Sequence, residues 1–160
     1  MEEVRASQVV PPPNGFLSAK IDEKGRLKLP SKIEEYFASL GVRSFFITSL
    51  DRTTIRVYSQ PEWQKSKTFL FQNKDDRQTA RRILFAANDV GGDSDIDSQG
   101  RILIPQKLRA LLSLENQNVQ MECLDEIITI YTQARYESTL QQALEDLEEN
   151  VRSMEEKGLK

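Results

Sequence analysis

The sequence predicts an α+β protein built as a pseudo-two-fold double repeat, and three observations lead to this prediction. Residues 21–33 return as residues 96–108, at an offset of 75, and six of the thirteen positions are identical. Residues 51–58 (DRTTIRVY) are echoed by residues 125–131 (DEIITIY). Each copy combines strand-like alternation with a short helical segment. Two copies of a unit that cannot bury its apolar face alone predict one pseudo-two-fold domain with two equivalent loops on one surface.

The composition excludes several classes of function. The 160 residues are 38% hydrophobic and 29% charged, which is typical of a soluble globular protein. The sequence contains no histidine, so Ser/His/Asp and Cys/His catalysis are excluded and a metal site is not expected. No Gly-rich loop that would cradle a phosphate occurs. We therefore expect no enzyme, no cofactor and no small-molecule substrate.

The cellular location is predicted from what the sequence lacks. Its single cysteine, Cys123, cannot form an intramolecular disulfide, which favours a reducing cytoplasm. No apolar run approaches the roughly 20 residues of a membrane span. The N-terminus also lacks the basic-then-apolar pattern of a secretory signal. The expectation is a cytoplasmic protein without a membrane partner.

Charge is distributed unevenly along the chain, whose formal net charge is −3. Eight Lys/Arg against six Asp/Glu give residues 16–63 a charge of +2, and six against four give residues 64–93 the same value. Residues 94–138 contain four Lys/Arg and seven Asp/Glu, a charge of −3. Residues 139–160 contain three Lys/Arg and six Asp/Glu, also −3. Any anion-binding surface is therefore predicted to be local and unequal between the repeats.

Changes in composition divide the chain into five predicted segments. They are a flexible leader at 1–14, a first repeat at 15–63, an inter-repeat helical segment at 64–93, a second repeat at 94–138 and a C-terminal amphipathic helix at 139–160. The triple proline at 11–13 favours an extended leader.

The first repeat is predicted to form two strands around a tight turn, followed by a helix and a hairpin. The strands are expected at 16–21, 26–29, 44–49 and 54–58, and the helix at 31–39. Ser31 is a candidate N-cap with Glu34 as its capping-box partner, and Gly41 is suited to end the helix.

The remaining elements follow from the same patterns. Helices are predicted at 61–71, at 76–87 and at 106–112, and the second hairpin at 118–123 and 126–131. The helix at 76–87 is expected to bury Ala80, Ile83, Leu84 and Ala87.

The tail is predicted to be one long helix from about residue 133. Its apolar residues follow heptad spacing: Leu140, Leu144, Leu147, Val151 and Met154. Two interpretations stay open, a helix packed on its own domain and a seam between subunits.

Each repeat contains the motif Asp-x-x-Gly-Arg, and the motif has two interpretations. In the structural one, an Asp–Arg pair locks the turn, Asp22 with Arg26 and Asp97 with Arg101. In the functional one, the arginine at the start of the strand contacts phosphate or a base edge of nucleic acid.

The motifs IDEKGRLKLPSKI and IDSQGRILIPQKLR resemble the paired Asp-x-x-x-Arg motifs of the MraZ family, within the AbrB/SpoVT-like group of swapped-hairpin β-barrels. Trp63 and the segment RQTARRILFAAND also resemble family features, so the resemblance covers about residues 15–140. It implies a double-repeat β-barrel with flanking helices. It further implies a transcriptional regulator that binds promoter direct repeats of the division and cell-wall gene cluster as a ring-like homo-oligomer, associated with the nucleoid.

The resemblance also implies which residues contact double-stranded DNA. The implied contacts are Arg26 and Arg101 first, then Lys24 and Gln99 at the turns, and less strongly Lys28 and Lys20. Asp22, Gly25, Asp97 and Gly100 are implied to shape the turns and orient the arginines. The first helix lacks the arginine that the second has at Arg109.

Two further functions remain open beside DNA binding by a MraZ-like regulator. One is an oligomeric structural or interaction hub of the same fold, in which the Asp–Arg turns are structural and the tail recruits a partner. The other is an AbrB-type or antitoxin-type regulator that recognises other DNA.

Overall fold

A computed structural model describes residues 10–160 as eight strands and six α-helices. The strands are β1 (Leu17–Lys20), β2 (Arg26–Lys28), β3 (Ser44–Thr48), β4 (Thr54–Ser59), β5 (Gly92–Asp95), β6 (Arg101–Leu103), β7 (Asn118–Leu124) and β8 (Ile127–Thr132). The helices are α1 (Ser31–Ser39), α2 (Gln60–Gln72), α3 (Arg77–Val90), α4 (Gln106–Leu112), α5 (Gln133–Leu144) and α6 (Leu147–Glu156). A 3₁₀ turn, Lys74–Asp76, precedes α3. The α+β class is confirmed.

The two repeats are interleaved in one antiparallel sheet. Its six strands run in the order β1-β7-β8-β4-β3-β5, while β2 and β6 form a separate two-stranded ladder. This order reads the same from both ends when each strand is exchanged for its counterpart in the other repeat. The first strand of each repeat therefore pairs with the hairpin of the other repeat. Within residues 10–160 the sheet is open, since no pairing joins β1 to β5.

The strand register keeps the two-fold relation at single-residue precision. In the two-stranded ladder Leu27 pairs with Ile102, its own counterpart at the offset of 75. At the centre of the six-stranded sheet, the two hairpins pair with each other through β4 and β8, with Arg56 opposite Thr129. Because side chains alternate along a strand, this register places Leu27 and Ile102 together in the core.

One core joins both repeats. Leu27, Leu29 and Ile33 and their counterparts all lie in a single buried cluster; these counterparts are Ile102, Ile104 and Leu108. Cys123 also lies in this cluster, and burial raises the pKa of its thiol to about 11. A second, smaller cluster holds α2 and α3 against the sheet, with the rings of Phe46 and Trp63 stacked at a centroid distance of 4.5 Å.

Two predicted details of the helices are wrong. Ser31 is the first residue of α1 rather than its N-cap, because Pro30 occupies the cap position and no side chain caps the helix. Ile83 is 38% exposed, because α3 buries the stripe of Ala80, Leu84 and Ala87. Gly41 follows the end of α1 with a φ of +70°, as predicted.

The single long C-terminal helix is also corrected. α5 and α6 are separate helices, because Asp146 between them adopts a left-handed conformation with a φ of +54°. Aspartate adopts this conformation more readily than most residues, since its side chain is short and polar. All five apolar residues of the heptad pattern are exposed: Leu140, Leu144, Leu147, Val151 and Met154.

The described part of the N-terminal leader is short. Residues 1–9 of the predicted leader lie outside the described residues, and residues 10–14 form neither helix nor strand. The amide of Val10 donates to the hydroxyl of Ser39 at 3.2 Å. Among residues 10–160 no helix is both long and apolar enough to cross a membrane.

The hairpin between β3 and β4 depends on one carboxylate. Burial alone would raise the pKa of Asp51, but the amides of Thr54 and Thr53 and the Thr54 hydroxyl all donate to it and lower that pKa to about 2. The unfolded chain has an aspartate pKa of about 3.9, so the native state favours the ionised form. The stabilisation is present above about pH 4 and is lost as the pH falls toward 2.

Asp51→Asn is expected to lower the free energy of unfolding at neutral pH by about 1–2 kcal/mol, because charged acceptors form the stronger hydrogen bonds. The variant should also lose less stability than the wild type between about pH 4 and pH 2. Urea titrations across this range measure both effects. Asp75→Asn is the control, an exposed aspartate that no hydrogen bond engages among the described residues. Equal pH dependence of Asp51→Asn and the wild type would contradict the assignment.

Candidate nucleic-acid interface

The first Asp-x-x-Gly-Arg motif forms a closed turn around one carboxylate. Asp22 Oδ1 accepts the amides of Lys24 and Arg26, each at 2.9 Å, and Oδ2 accepts the Nε of Arg26 at 2.8 Å. The backbone reverses at Gly25, whose φ is +82°. A residue with a side chain rarely adopts this conformation, which explains the glycine.

The second motif repeats this geometry. Asp97 Oδ1 accepts the amides of Gln99 at 2.8 Å and Arg101 at 2.9 Å, and Oδ2 accepts the Nε of Arg101 at 2.9 Å. Gly100 has a φ of +75°. The structural interpretation of the motif, a turn locked by its Asp–Arg pair, therefore describes both copies.

The locked turn also leaves an anion-binding group partly accessible, since the side chains of Arg26 and Arg101 are 33% and 26% exposed. The backbone amide of each arginine, with its side chain and charge, lowers the pKa of Asp22 and Asp97, so both are ionised at neutral pH. Each carboxylate engages the Nε of its arginine, and among the described residues no partner engages the terminal nitrogens of Arg26 or Arg101. Their guanidinium groups are thus oriented, yet can still form paired hydrogen bonds with a phosphate or a guanine edge.

Both arginines lie on one surface, the outward face of the β2–β6 ladder. Leu27 and Ile102 point into the core, so Arg26, Lys28, Arg101 and Leu103 point away from it. Lys28 lies directly opposite Arg101, and Leu103 opposite Arg26. Directly opposed side chains in such a ladder are about 5 Å apart. The face therefore brings three cationic side chains together in a small area, and two of them are paired with Asp22 and Asp97.

Two hydrogen bonds tie the turns to each other. The Leu29 amide donates to the carbonyl of Gly100, and the Ile104 amide donates to the carbonyl of Gly25, both at 2.9 Å. The strand after each turn is thus bonded to the other turn. The two motifs form one continuous surface rather than two separate sites.

Two cationic side chains that follow the Asp-x-x-Gly-Arg segments donate hydrogen bonds to the backbone carbonyls of the turns. Arg109 Nη1 of α4 donates to the Lys24 carbonyl at 2.8 Å, and its side chain is only 16% exposed. Lys28 Nζ donates to the Gln99 carbonyl at 2.7 Å. Sequence reasoning assigned no role to Arg109, although its presence in only one of two equivalent helices was a usable signal.

The remaining predicted residues lie around this face. Lys24 and Gln99 are exposed at the two turns, 75 positions apart. Lys20 is exposed at the end of β1, where it pairs with Asn118, and so lies outside the β2–β6 ladder. Between residues 10 and 160, no cluster of three Cys, Asp or Glu residues is arranged to hold a metal ion.

Gly25→Ala is expected to destabilise the fold more than Gly41→Ala. Both glycines have a positive φ, which costs a residue with a Cβ about 1–2 kcal/mol. At Gly41 the added methyl would meet nothing within 4 Å, whereas at Gly25 it would collide with Cδ of Arg109 and displace that side chain. Urea unfolding midpoints measure the difference, and equal midpoints would contradict the contact with Arg109.

Comparisons with known proteins show which family this chain resembles. The family model described as "MraZ protein, putative antitoxin-like" matches residues 93–157. A "Transcriptional regulator MraZ" of Pediococcus pentosaceus is 30% identical over 148 residues, covering 91% of this chain and 98% of that protein. Its namesake from Desulforamulus reducens is 31% identical over 86% of this chain and 95% of that protein.

A third relative of the same name, from Acidobacterium capsulatum, is 38% identical over 94 residues. The match covers 56% of this chain and 62% of that protein. The extent of the two longer matches decides the assignment: the chain belongs to the MraZ family.

Proposed function

We propose that this protein is a sequence-specific, double-stranded-DNA-binding transcriptional regulator and not an enzyme. The observation that carries the proposal is the pair of congruent turns, each of which orients an arginine through its Nε and leaves the terminal nitrogens available. The similarity to proteins named transcriptional regulators supports a role in transcription.

The proposed contacts divide into two kinds. Arg26 and Arg101 each present a planar fork of donors, which matches a phosphate or the O6/N7 edge of guanine. Lys28 adds a cation between them, although one of its protons is used at the Gln99 carbonyl. Lys24 and Gln99 extend the surface at the turns, and Lys20 is a peripheral phosphate contact.

The interleaved topology supports the proposal of an AbrB/SpoVT-like, swapped-hairpin double-repeat barrel. Each repeat supplies the edge strand that completes the sheet of the other, β1 on β7 and β5 on β3. In this arrangement Asp22, Gly25, Asp97 and Gly100 are framework residues that place the arginines.

Several copies are proposed to act together, because one β2–β6 face offers few phosphate contacts and so binds weakly. Two separate surfaces support a homo-oligomer. The helical segment 64–93 carries a net charge of +2 and exposes Phe69, Phe71 and Phe85. The tail 139–160 carries −3 and exposes the apolar residues of α5 and α6.

Opposite charge and shared apolar character suit these two surfaces to each other in neighbouring copies. Such a head-to-tail contact generates a ring when its rotation closes. The family resemblance suggests the target, direct repeats in the promoter of the division and cell-wall gene cluster, and a cytoplasmic, nucleoid-associated location. A structural hub would use the same two surfaces, but would leave the β2–β6 face without a ligand.

Arg26→Ala and Arg101→Ala are each expected to weaken binding to a duplex from upstream of the protein's own gene by about ten-fold or more. The double variant should lose its preference for this duplex over a scrambled one. Fluorescence anisotropy at two salt concentrations measures affinity and salt dependence. Arg43→Ala removes one exposed positive charge between α1 and β3, outside the β2–β6 face and both oligomer surfaces, and serves as the control, with binding close to that of the wild type. Wild-type affinity in the double variant would refute DNA binding through this face.

The head-to-tail contact is tested by mixing two variants. Phe85→Asp should disrupt the surface of segment 64–93, and Val151→Asp should disrupt the tail, so each variant alone is expected to be monomeric. A mixture should form dimers and nothing larger, because only one complementary pair of intact surfaces remains. Mass photometry distinguishes these species. Wild-type oligomers in either variant, or a mixture that stays monomeric, would contradict this contact.

A further inference from the structure

The two turns share a backbone but present different chemistry at their tips. Lys24 in the first turn corresponds to Gln99 in the second, and Glu23 corresponds to Ser98. All four residues are exposed. The first tip therefore carries a carboxylate next to an ammonium, and the second is neutral with an amide that both donates and accepts hydrogen bonds.

The two turns also differ in the helix residue that packs against the turn glycine. These residues occupy equivalent positions of α1 and α4. Glu34 and Arg109 are 75 positions apart, and each lies against the glycine of the other repeat's turn. A Cβ added at Gly100 would lie 2.6 Å from Glu34 Oε2, and one added at Gly25 would collide with Arg109 Cδ. The same place is thus filled by a carboxylate at the second turn and by a guanidinium at the first.

The environments of these two groups differ in how their charge is balanced. Arg109 donates to the Lys24 carbonyl, and Glu115 lies 3.8 Å from its Nη1. Glu34 has no cation within 4 Å among residues 10–160. Lys28 takes over the carbonyl of the second turn, where the first repeat has no arginine to do so. An unpaired carboxylate behind Gln99 disfavours an approaching phosphate.

We infer that the two turns are specialised, the first anchoring the DNA backbone through Lys24 and the second reading a base edge through Gln99, with Glu34 repelling phosphate there. This inference rests on the proposed function. A lysine ammonium is a point charge suited to phosphate, and a glutamine amide can form two hydrogen bonds with an adenine edge. The matching backbone gives both side chains similar reach, so the difference arises from the side chains alone.

The test compares variants of the full chain on the upstream duplex and on a scrambled duplex, by anisotropy across a salt series. Lys24→Ala should weaken both complexes by a similar factor and reduce the slope of log affinity against log salt by about 1. Gln99→Ala should weaken only the upstream complex, by about ten-fold, and leave the slope unchanged. Circular dichroism and oligomer mass check that each variant keeps its fold.

Glu34→Gln and Glu35→Gln form a matched pair, since they make the same change of charge on neighbouring residues of α1. Glu35 is exposed and does not meet the turn glycine. Glu34→Gln should strengthen binding to the scrambled duplex by about three-fold or more and so reduce discrimination. Glu35→Gln should change it far less.

The outcomes separate this inference from the proposed function. If the Arg26→Ala/Arg101→Ala variant loses binding but Gln99→Ala weakens both duplexes by the same factor and lowers the salt slope as Lys24→Ala does, the turns are equivalent and the inference is overturned. Equal effects of Glu34→Gln and Glu35→Gln would overturn the part played by Glu34. If the double arginine variant binds like the wild type, the proposed function itself fails.

Discussion

The rest of the structure depends on two hydrogen bonds that cross between the repeats. The amide of Leu29 is satisfied by the carbonyl of Gly100, and the amide of Ile104 by the carbonyl of Gly25. These bonds flank the β2–β6 ladder and fix its register. Neither repeat can complete its ladder or its share of the core without the other. The candidate site is therefore a product of the whole domain, although its motif occupies only five residues in each copy.

An internally repeated backbone allows two copies of a site to diverge without loss of the fold. The Asp–Gly–Arg framework keeps nearly identical distances in both copies, so the arginines are held alike. The positions that differ lie at the tips and behind the glycines, where a side chain changes charge without changing the main-chain hydrogen bonds. Lys28 illustrates the compensation, since it supplies a donor where α1 provides a carboxylate. The outward face of the β2–β6 ladder can thus vary in sequence while its buried apolar side stays fixed.

Local patterns in the sequence predicted most of the elements and both turns. The turn chemistry of Asp22 and Gly25, and the alternation around Leu27, are properties of a few neighbouring residues, so they could be read without the fold. The break at Asp146 could not, because the heptad pattern continues through it and the backbone choice of one residue decides the outcome. The sequence marked Arg109 as a difference between the repeats, but its contacts could not be predicted. They depend on which turn α4 covers, and only the interleaving of the repeats decides this.

The same packing reasons explain the smaller errors. Ser31 has the chemistry of a cap, but the proline before it already has the extended backbone that the cap position requires, with a ψ of 145°. Ile83 fits the helical stripe, yet α3 contributes Leu84 and Ala87 to the aromatic cluster around Trp63. Both cases show a local preference overridden by a neighbour that the pattern does not include.

The interleaved sheet also has a consequence for folding during synthesis of the chain. Leu17 of β1 pairs with Met121, and each edge strand, β1 and β5, pairs with a strand of the other repeat. Pairings between such distant residues form slowly, because a long loop must close first. On the ribosome, the first repeat emerges with unpaired strand edges and an uncovered apolar ladder until the second has been made. A neighbouring nascent chain can offer the same missing strands, so exchange of repeats between chains is the characteristic hazard of this architecture.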